Sequence, residues 1–116
     1  MKIYYAHCMA IYNTMQEQRD MANLQALGFD VVNPNCAEHQ EGCLKQGMAY
    51  FEDVVDDCDA IAFRAVSGGK IPAGVFKEIE WAKVRAMPII ELPNGILGRG
   101  MSVEETREYL KEAGAR

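Results

Sequence analysis

The run Cys58-Asp59-Ala60-Ile61-Ala62-Phe63 passes through a glycine-bearing loop to Gly74-Val75-Phe76-Lys77-Glu78-Ile79-Glu80-Trp81-Ala82, and then to Met87-Pro88-Ile89-Ile90. It reads as strand, loop, helix, strand. Short apolar runs of this kind belong to strands buried on both faces, and a helix between two of them implies a right-handed parallel crossover. Such a unit delivers its loop to the carboxyl edge of the sheet, where open α/β folds bind ligands. Glu78, about one turn into the helix, is therefore expected beside a pocket.

The same alternation extends over the chain. Ile3 to Ala6 is a β-branched and aromatic run suited to a first buried strand. Asn13 or Thr14 can cap a helix whose apolar positions Met15, Met21, Ala22, Leu24 and Leu27 share a broad face, and Gly28 supplies its stop. Phe29 to Val32 returns as a second strand, Asn33-Pro34-Asn35 breaks it, and the polar segment to about Lys45 reads as loop. Met48, Phe51, Val54, Val55 and Cys58 recur at helical spacing, which turns Glu52, Asp53, Asp56 and Asp57 outward. Pro88 to Leu92 makes a fourth strand, and Ser102-Val103-Glu104-Glu105 is a capping box opening a last helix. The order βαβαβαβα predicts one small, doubly wound, mostly parallel α/β domain, flavodoxin-like or Rossmann-like, over residues 1–116. Its pocket is expected among the loops His7 to Tyr12, Asn33 to Asn35, Arg64 to Ala73 and Pro93 to Gly100.

Composition removes several classes of function. A net charge of -5 without a basic cluster argues against a nucleic-acid polymer as partner. No apolar run is long enough to suggest membrane insertion or a secretory leader, so a cytoplasmic protein is expected. Neither a Gly-x-Gly-x-x-Gly after the first strand nor a Walker-type loop is present, although Ser67-Gly68-Gly69-Lys70 has the composition of an anion-holding turn. With 49% hydrophobic residues the chain can build a core without disulfide staples, so Cys8, Cys36, Cys43 and Cys58 are expected as thiols. Cys36, His39 and Cys43, with His7 and Cys8 nearby in type, have the chemistry of zinc ligands but lack a Cys-x-x-Cys pair. A metal-binding or redox module built on them stands as a separate reading.

Four blocks carry a family resemblance: Ile3-Tyr4-Tyr5-Ala6 with its following loop, Gly28-Phe29-Asp30-Val31-Val32-Asn33-Pro34, Cys58-Asp59-Ala60-Ile61-Ala62-Phe63, and Gly74 to Ala82 followed by Pro88-Ile89-Ile90. Together they resemble the nucleoside 2-deoxyribosyltransferase superfamily, which includes 2'-deoxynucleoside 5'-monophosphate N-glycosidases. The resemblance implies cleavage or transfer at the N-glycosidic bond of a deoxynucleoside or its 5'-monophosphate, with Glu78 attacking the anomeric carbon or stabilising its positive charge. It implies no cofactor and no metal in the site.

By the same resemblance His7, Cys8 and Met9 occupy the loop that meets sugar or phosphate, in place of the small or hydroxyl-bearing residues usual there. Gly74 opens the motif that carries the glutamate. Tyr5 matches an aromatic position that either touches the sugar or orients the glutamate, with a core tyrosine as the alternative. Arg64 is placed to meet a phosphate or, equally, to pair with the acidic helix. Asn94 reaches the pocket, or a neighbouring subunit's pocket in a homo-oligomer, unless it only forms a turn. Relatives often carry an aspartate eight residues before Asp59, where this chain has Phe51. That departure keeps open a non-catalytic protein that binds or sequesters a nucleotide.

Overall fold

The structure, a computed structural model, describes residues 1–47, 49–66 and 70–92, with the backbone of 96–97. Strands β1 (Lys2–Ala6), β2 (Asp30–Val32), β3 (Ala60–Arg64) and β4 (Ile89–Leu92) form a parallel sheet in the order β2-β1-β3-β4. A two-residue strand β5 (Ile96–Leu97) adds an antiparallel edge beyond β4. Helices α1 (Met15–Ala26), α2 (Ala37–Gln46), α3 (Ala49–Asp56) and α4 (Ala73–Val84), with a short 3-10 turn at Met9–Ile11, complete the described elements. The expected α/β class and mostly parallel sheet are observed.

Strand alternation divides the core in two. Side chains of successive strand residues point to opposite faces. Tyr4, Ala6, Ile61 and Phe63 therefore pack with Val55 of α3 and Val75, Ile79 and Ala82 of α4, while Ile3, Tyr5, Ala60 and Ala62 pack with Leu24 of α1. Trp81 is partly buried against the first of these cores.

Thr14 is the cap of α1, its Oγ1 accepting from the Glu17 N–H at 3.3 Å. Glu17 reaches back to accept from the Asn13 N–H at 3.1 Å, which satisfies a further donor at the helix start. Gly28, at φ 93, follows the C-terminus as expected. The inward face of α1 is only partly the apolar one: Leu24 is buried and Met21 packs on the core, but acidic residues share that face. Met15 and Leu27 are 68% and 64% exposed, while Glu17, Asp20 and Leu24 are buried. The strand ends beneath α1 carry hydrogen-bonding groups that draw the two carboxylates inward, and the helix turns to bring them there.

The segment expected as loop is α2. It buries no residue, so it lacks the apolar stripe by which a helix is normally recognised. It is held against α3 instead: His39 Nδ1 lies 2.7 Å from Tyr50 Oη, and Gly42 leaves the space that the Tyr50 ring fills. In α3 the acidic side chains face out as expected, Glu52 and Asp56 meeting Arg85 at 3.3 Å and 2.7 Å. Ser67 to Gly69, Asn94 and the capping box at Ser102 lie outside the described residues.

Candidate active site

Parallel strands bring the chain out at one edge of the sheet, where β1 ends at Ala6 and β3 at Arg64. Adjacent residues of β1 meet different carboxylates there. Tyr4 faces α4 and donates its hydroxyl to Glu78; Tyr5 faces α1 and donates its hydroxyl to Asp20 at 2.5 Å. Of the readings open for Tyr5, a contact with sugar or glutamate and a core tyrosine, the second fits its full burial on the opposite face, and it is Tyr4 that meets Glu78. Period-two alternation is the reason, since Tyr4 shares a face with α4 and Tyr5 cannot.

Glu78 falls on the helical stripe Val75, Glu78, Ile79, Ala82, a core position, and is 7% exposed. Burial raises its pKa from 4.5 to about 7 by penalising the charged form, while the hydrogen bond from Tyr4 favours that form and pulls the other way. Burial first, and the Glu78 charge second, push the Tyr4 phenol well above its ordinary value. Glu78 nonetheless opens onto a cleft of about 600 Å³. Its walls come from the loop after β1 (His7, Cys8, Met9, Tyr12), from Pro34, from α2 (Gln40, Cys43, Leu44), from Phe51, and from the start of α4 (Pro72, Gly74, Val75). The expected site residues Glu78, His7, Cys8, Met9 and Gly74 thus surround one cavity. Tyr5 and Arg64 are not among its walls, and Asn94 lies outside the described residues.

Arg64 neither meets the acidic helix α3 nor faces the cleft. Its Nε and Nη2 donate to the two oxygens of Asp20 at 2.5 Å and 2.7 Å, a bidentate pair in which the Asp20 side chain is 1% exposed. With Tyr5 it forms a buried triad that ties β1 and β3 to α1.

His7 is equally engaged. Its ring stacks on Tyr5 at 3.8 Å, Nδ1 lies 2.9 Å from the Tyr5 carbonyl, and Nε2 lies 2.8 Å from Glu17. Asn35, from the loop after β2, donates to both Glu17 oxygens at 3.1 Å and 3.0 Å. Burial pushes the Glu17 carboxyl up, but the bonds from His7, Asn35 and the Asn13 N–H outweigh it and hold the carboxyl below its ordinary value. This network fixes the loop after β1 and leaves His7 as cleft wall.

The fold has a counterpart among solved structures. The structure of Clostridium botulinum CMP N-glycosidase, BcmB, aligns over 98% of this chain and 98% of its own, with a TM-score of 0.53 and 18% sequence identity. The likeness is one of fold. No protein-family model and no curated protein matches the sequence.

Cys36, His39 and Cys43 do not assemble. Cys36 caps α2, Cys43 lines the cleft, and His39 lines a separate hollow of about 370 Å³ that also holds the exposed Lys2–Asp57 pair. Among the described residues no group of three or more His, Cys, Asp or Glu could hold a metal ion. No described helix is long and apolar enough to cross a membrane.

Sequence reasoning missed Tyr4 and the α2 wall, and placed Tyr12 in a pocket loop without singling it out. One signal was available: a glutamate on the apolar stripe of α4 needs a buried donor, and the residue of β1 on the same face as Ala6 is Tyr4.

Proposed function

We propose that this protein cleaves or transfers at the N-glycosidic bond of a 2'-deoxynucleoside or its 5'-monophosphate, as in the nucleoside 2-deoxyribosyltransferase superfamily, with Glu78 as nucleophile. The observation that carries the reading is a buried carboxyl group, alone of its kind among the described residues that line an apolar-walled cleft, with a tyrosine donor aimed at it. The fold likeness to a CMP N-glycosidase supports the same reaction class.

A glycosidic bond breaks through a transition state in which the anomeric carbon gains positive charge. A carboxylate in a poorly solvated cleft attracts that charge more strongly than water would, and capture as a covalent ester divides one hard step into two. The lost base departs, and water or a second base then attacks the sugar. Side chains and water suffice for this sequence. Phe51 offers a flat aromatic face to a nucleobase, and Leu44, Met9 and Val75 add apolar contacts.

The nucleophile must be ionised, so kcat/KM will rise with pH along an acid limb governed by Glu78, near pH 7 in the free protein. Replacing Tyr4 with phenylalanine removes the donor that favours the carboxylate. The limb will then move to higher pH, and activity at neutral pH will fall further than activity above the limb. Profiles of kcat/KM against pH for both proteins check this, and coincident limbs would dismiss the Tyr4 role.

Chromatography of free base released from a panel of deoxynucleosides and their 5'-monophosphates, with and without an acceptor base, tests the reaction itself. Release without acceptor marks hydrolysis, and exchange marks transfer. Phe51, lining the cleft where relatives often carry an acid, favours one competing reading, a protein that binds a nucleotide without turnover. A nucleotide that raises the melting temperature while no base is released would establish it.

A further inference from the structure

A base that leaves the anomeric carbon carries away the bonding electron pair and needs a proton. Glu78 cannot supply it while attacking as a carboxylate, and Phe51 has none to give. The other polar groups of the cleft wall are occupied: both His7 nitrogens are bonded, and Gln40 Nε2 donates to Asn35 at 3.3 Å. Tyr4 already serves Glu78. Tyr12 differs from all of these. It lines the cleft half-buried, its hydroxyl bonds to no described residue, and its ring rests against His7 with centroids 4.8 Å apart. Since His7 is clamped by Tyr5 and Glu17, the ring is held in place as well. Cys8 and Cys43 also stand in the wall, but an S–H group is a weak hydrogen-bond donor and holds a leaving base in position less well than a phenol does.

We propose that Tyr12 is a catalytic residue, the acid that protonates the departing nucleobase. This rests on the glycosidic reading above. As a Glu78 oxygen bonds to the anomeric carbon, the carbon–nitrogen bond breaks, its electrons stay on the base, and the Tyr12 hydroxyl proton passes to the base nitrogen. Water then attacks the anomeric carbon, the ester bond returns its electrons to Glu78, and the proton lost by water restores the Tyr12 phenol. Burial, and after it the charge of Glu78, raise the Tyr12 pKa to about 12, which keeps the proton in place until the leaving base calls for it.

The test compares wild type, Tyr12→Phe and Glu78→Gln on two substrates. One is an ordinary purine deoxynucleoside that the wild type cleaves. The other is its derivative methylated on the imidazole ring nitrogen, whose base already carries positive charge and leaves without a proton. Tyr12→Phe should lower kcat/KM on the ordinary substrate on the order of 10²- to 10⁴-fold and leave the methylated one unchanged, which also shows that the variant is folded. An equal loss on both substrates, or a loss on neither, overturns the assignment. Glu78→Gln should lose both substrates. If Glu78→Gln loses both substrates while Tyr12→Phe shows no selectivity, Tyr12 alone is wrong; if the wild type releases base from no purine or pyrimidine deoxynucleoside or 5'-monophosphate, the glycosidic reading falls and this proposal with it.

Discussion

Glu78→Gln will abolish base release and at the same time make the protein more stable above neutral pH. On activity, loss of a nucleophile is expected to lower kcat on the order of 10⁴-fold or more. The stability effect follows from proton linkage. The Glu78 pKa is raised from 4.5 in the free side chain to about 7 in the fold. Between those values the native protein holds a proton that the unfolded chain has released, so stability falls as pH rises through this window. Above the window the buried charge costs about 3 kcal/mol. Glutamine keeps the shape and an acceptor for the Tyr4 hydroxyl but never ionises. Melting curves of the two proteins should therefore coincide near pH 4 and separate by on the order of 10 °C near pH 8, the variant melting higher. A variant less stable than wild type at every pH would show that Glu78 is not the buried, strained carboxylate described here. The pairing of lost activity with gained stability is the signature of a group placed for chemistry at the expense of the fold.

Arg64→Leu will have the opposite character, a large loss of stability from a residue outside the cleft wall. Its guanidinium is the only cation that contacts the buried Asp20 among the described residues, through two hydrogen bonds. Removing one partner leaves an uncompensated charge in a low-dielectric interior, which costs about 3 to 5 kcal/mol. The midpoint of denaturant unfolding should fall accordingly, with the slope unchanged. Adding Asp20→Asn should recover much of the loss, because the neutral amide no longer needs the cation and still accepts from Tyr5. If the double variant is no more stable than Arg64→Leu alone, the triad is not what holds α1 against the sheet.

These two carboxylates show where sequence reading succeeds and where it stops. Glu78 could be singled out because it sits in a strand–loop–helix–strand unit, and that unit has only one sterically ordinary way to fold. Its burial, by contrast, follows only from the packing of α4 through Val75, Ile79 and Ala82. Asp20 carried no such mark. In α1 the apolar positions Met15, Met21, Ala22, Leu24 and Leu27 look like an inward face; Leu24 and Met21 do pack inward, yet Leu27 and Met15 are exposed and Asp20 is fully buried. The force that turns the helix is the match between Asp20 and groups on two strands, Tyr5 and Arg64, that lie 15 and 44 residues away. No local pattern contains those separations. The α2 helix was hidden for a related reason: its contacts run through Tyr50 of the next helix, so its own residues show no apolar period.

The layered α/β architecture is legible in the residue order alone. Buried parallel strands must be apolar throughout, amphipathic helices must repeat near every 3.6 residues, and glycine, proline and capping residues must punctuate them. These are short-range requirements, and each leaves its mark within a few residues. Tertiary packing alone settles which of two adjacent tyrosines meets Glu78, which face α1 turns inward, and that α2 walls the cleft. Each of those depends on pairing a polar group with a distant partner. The energy of an unpaired buried polar group is large enough to override local periodicity, and it is fixed only when the whole chain has closed around it.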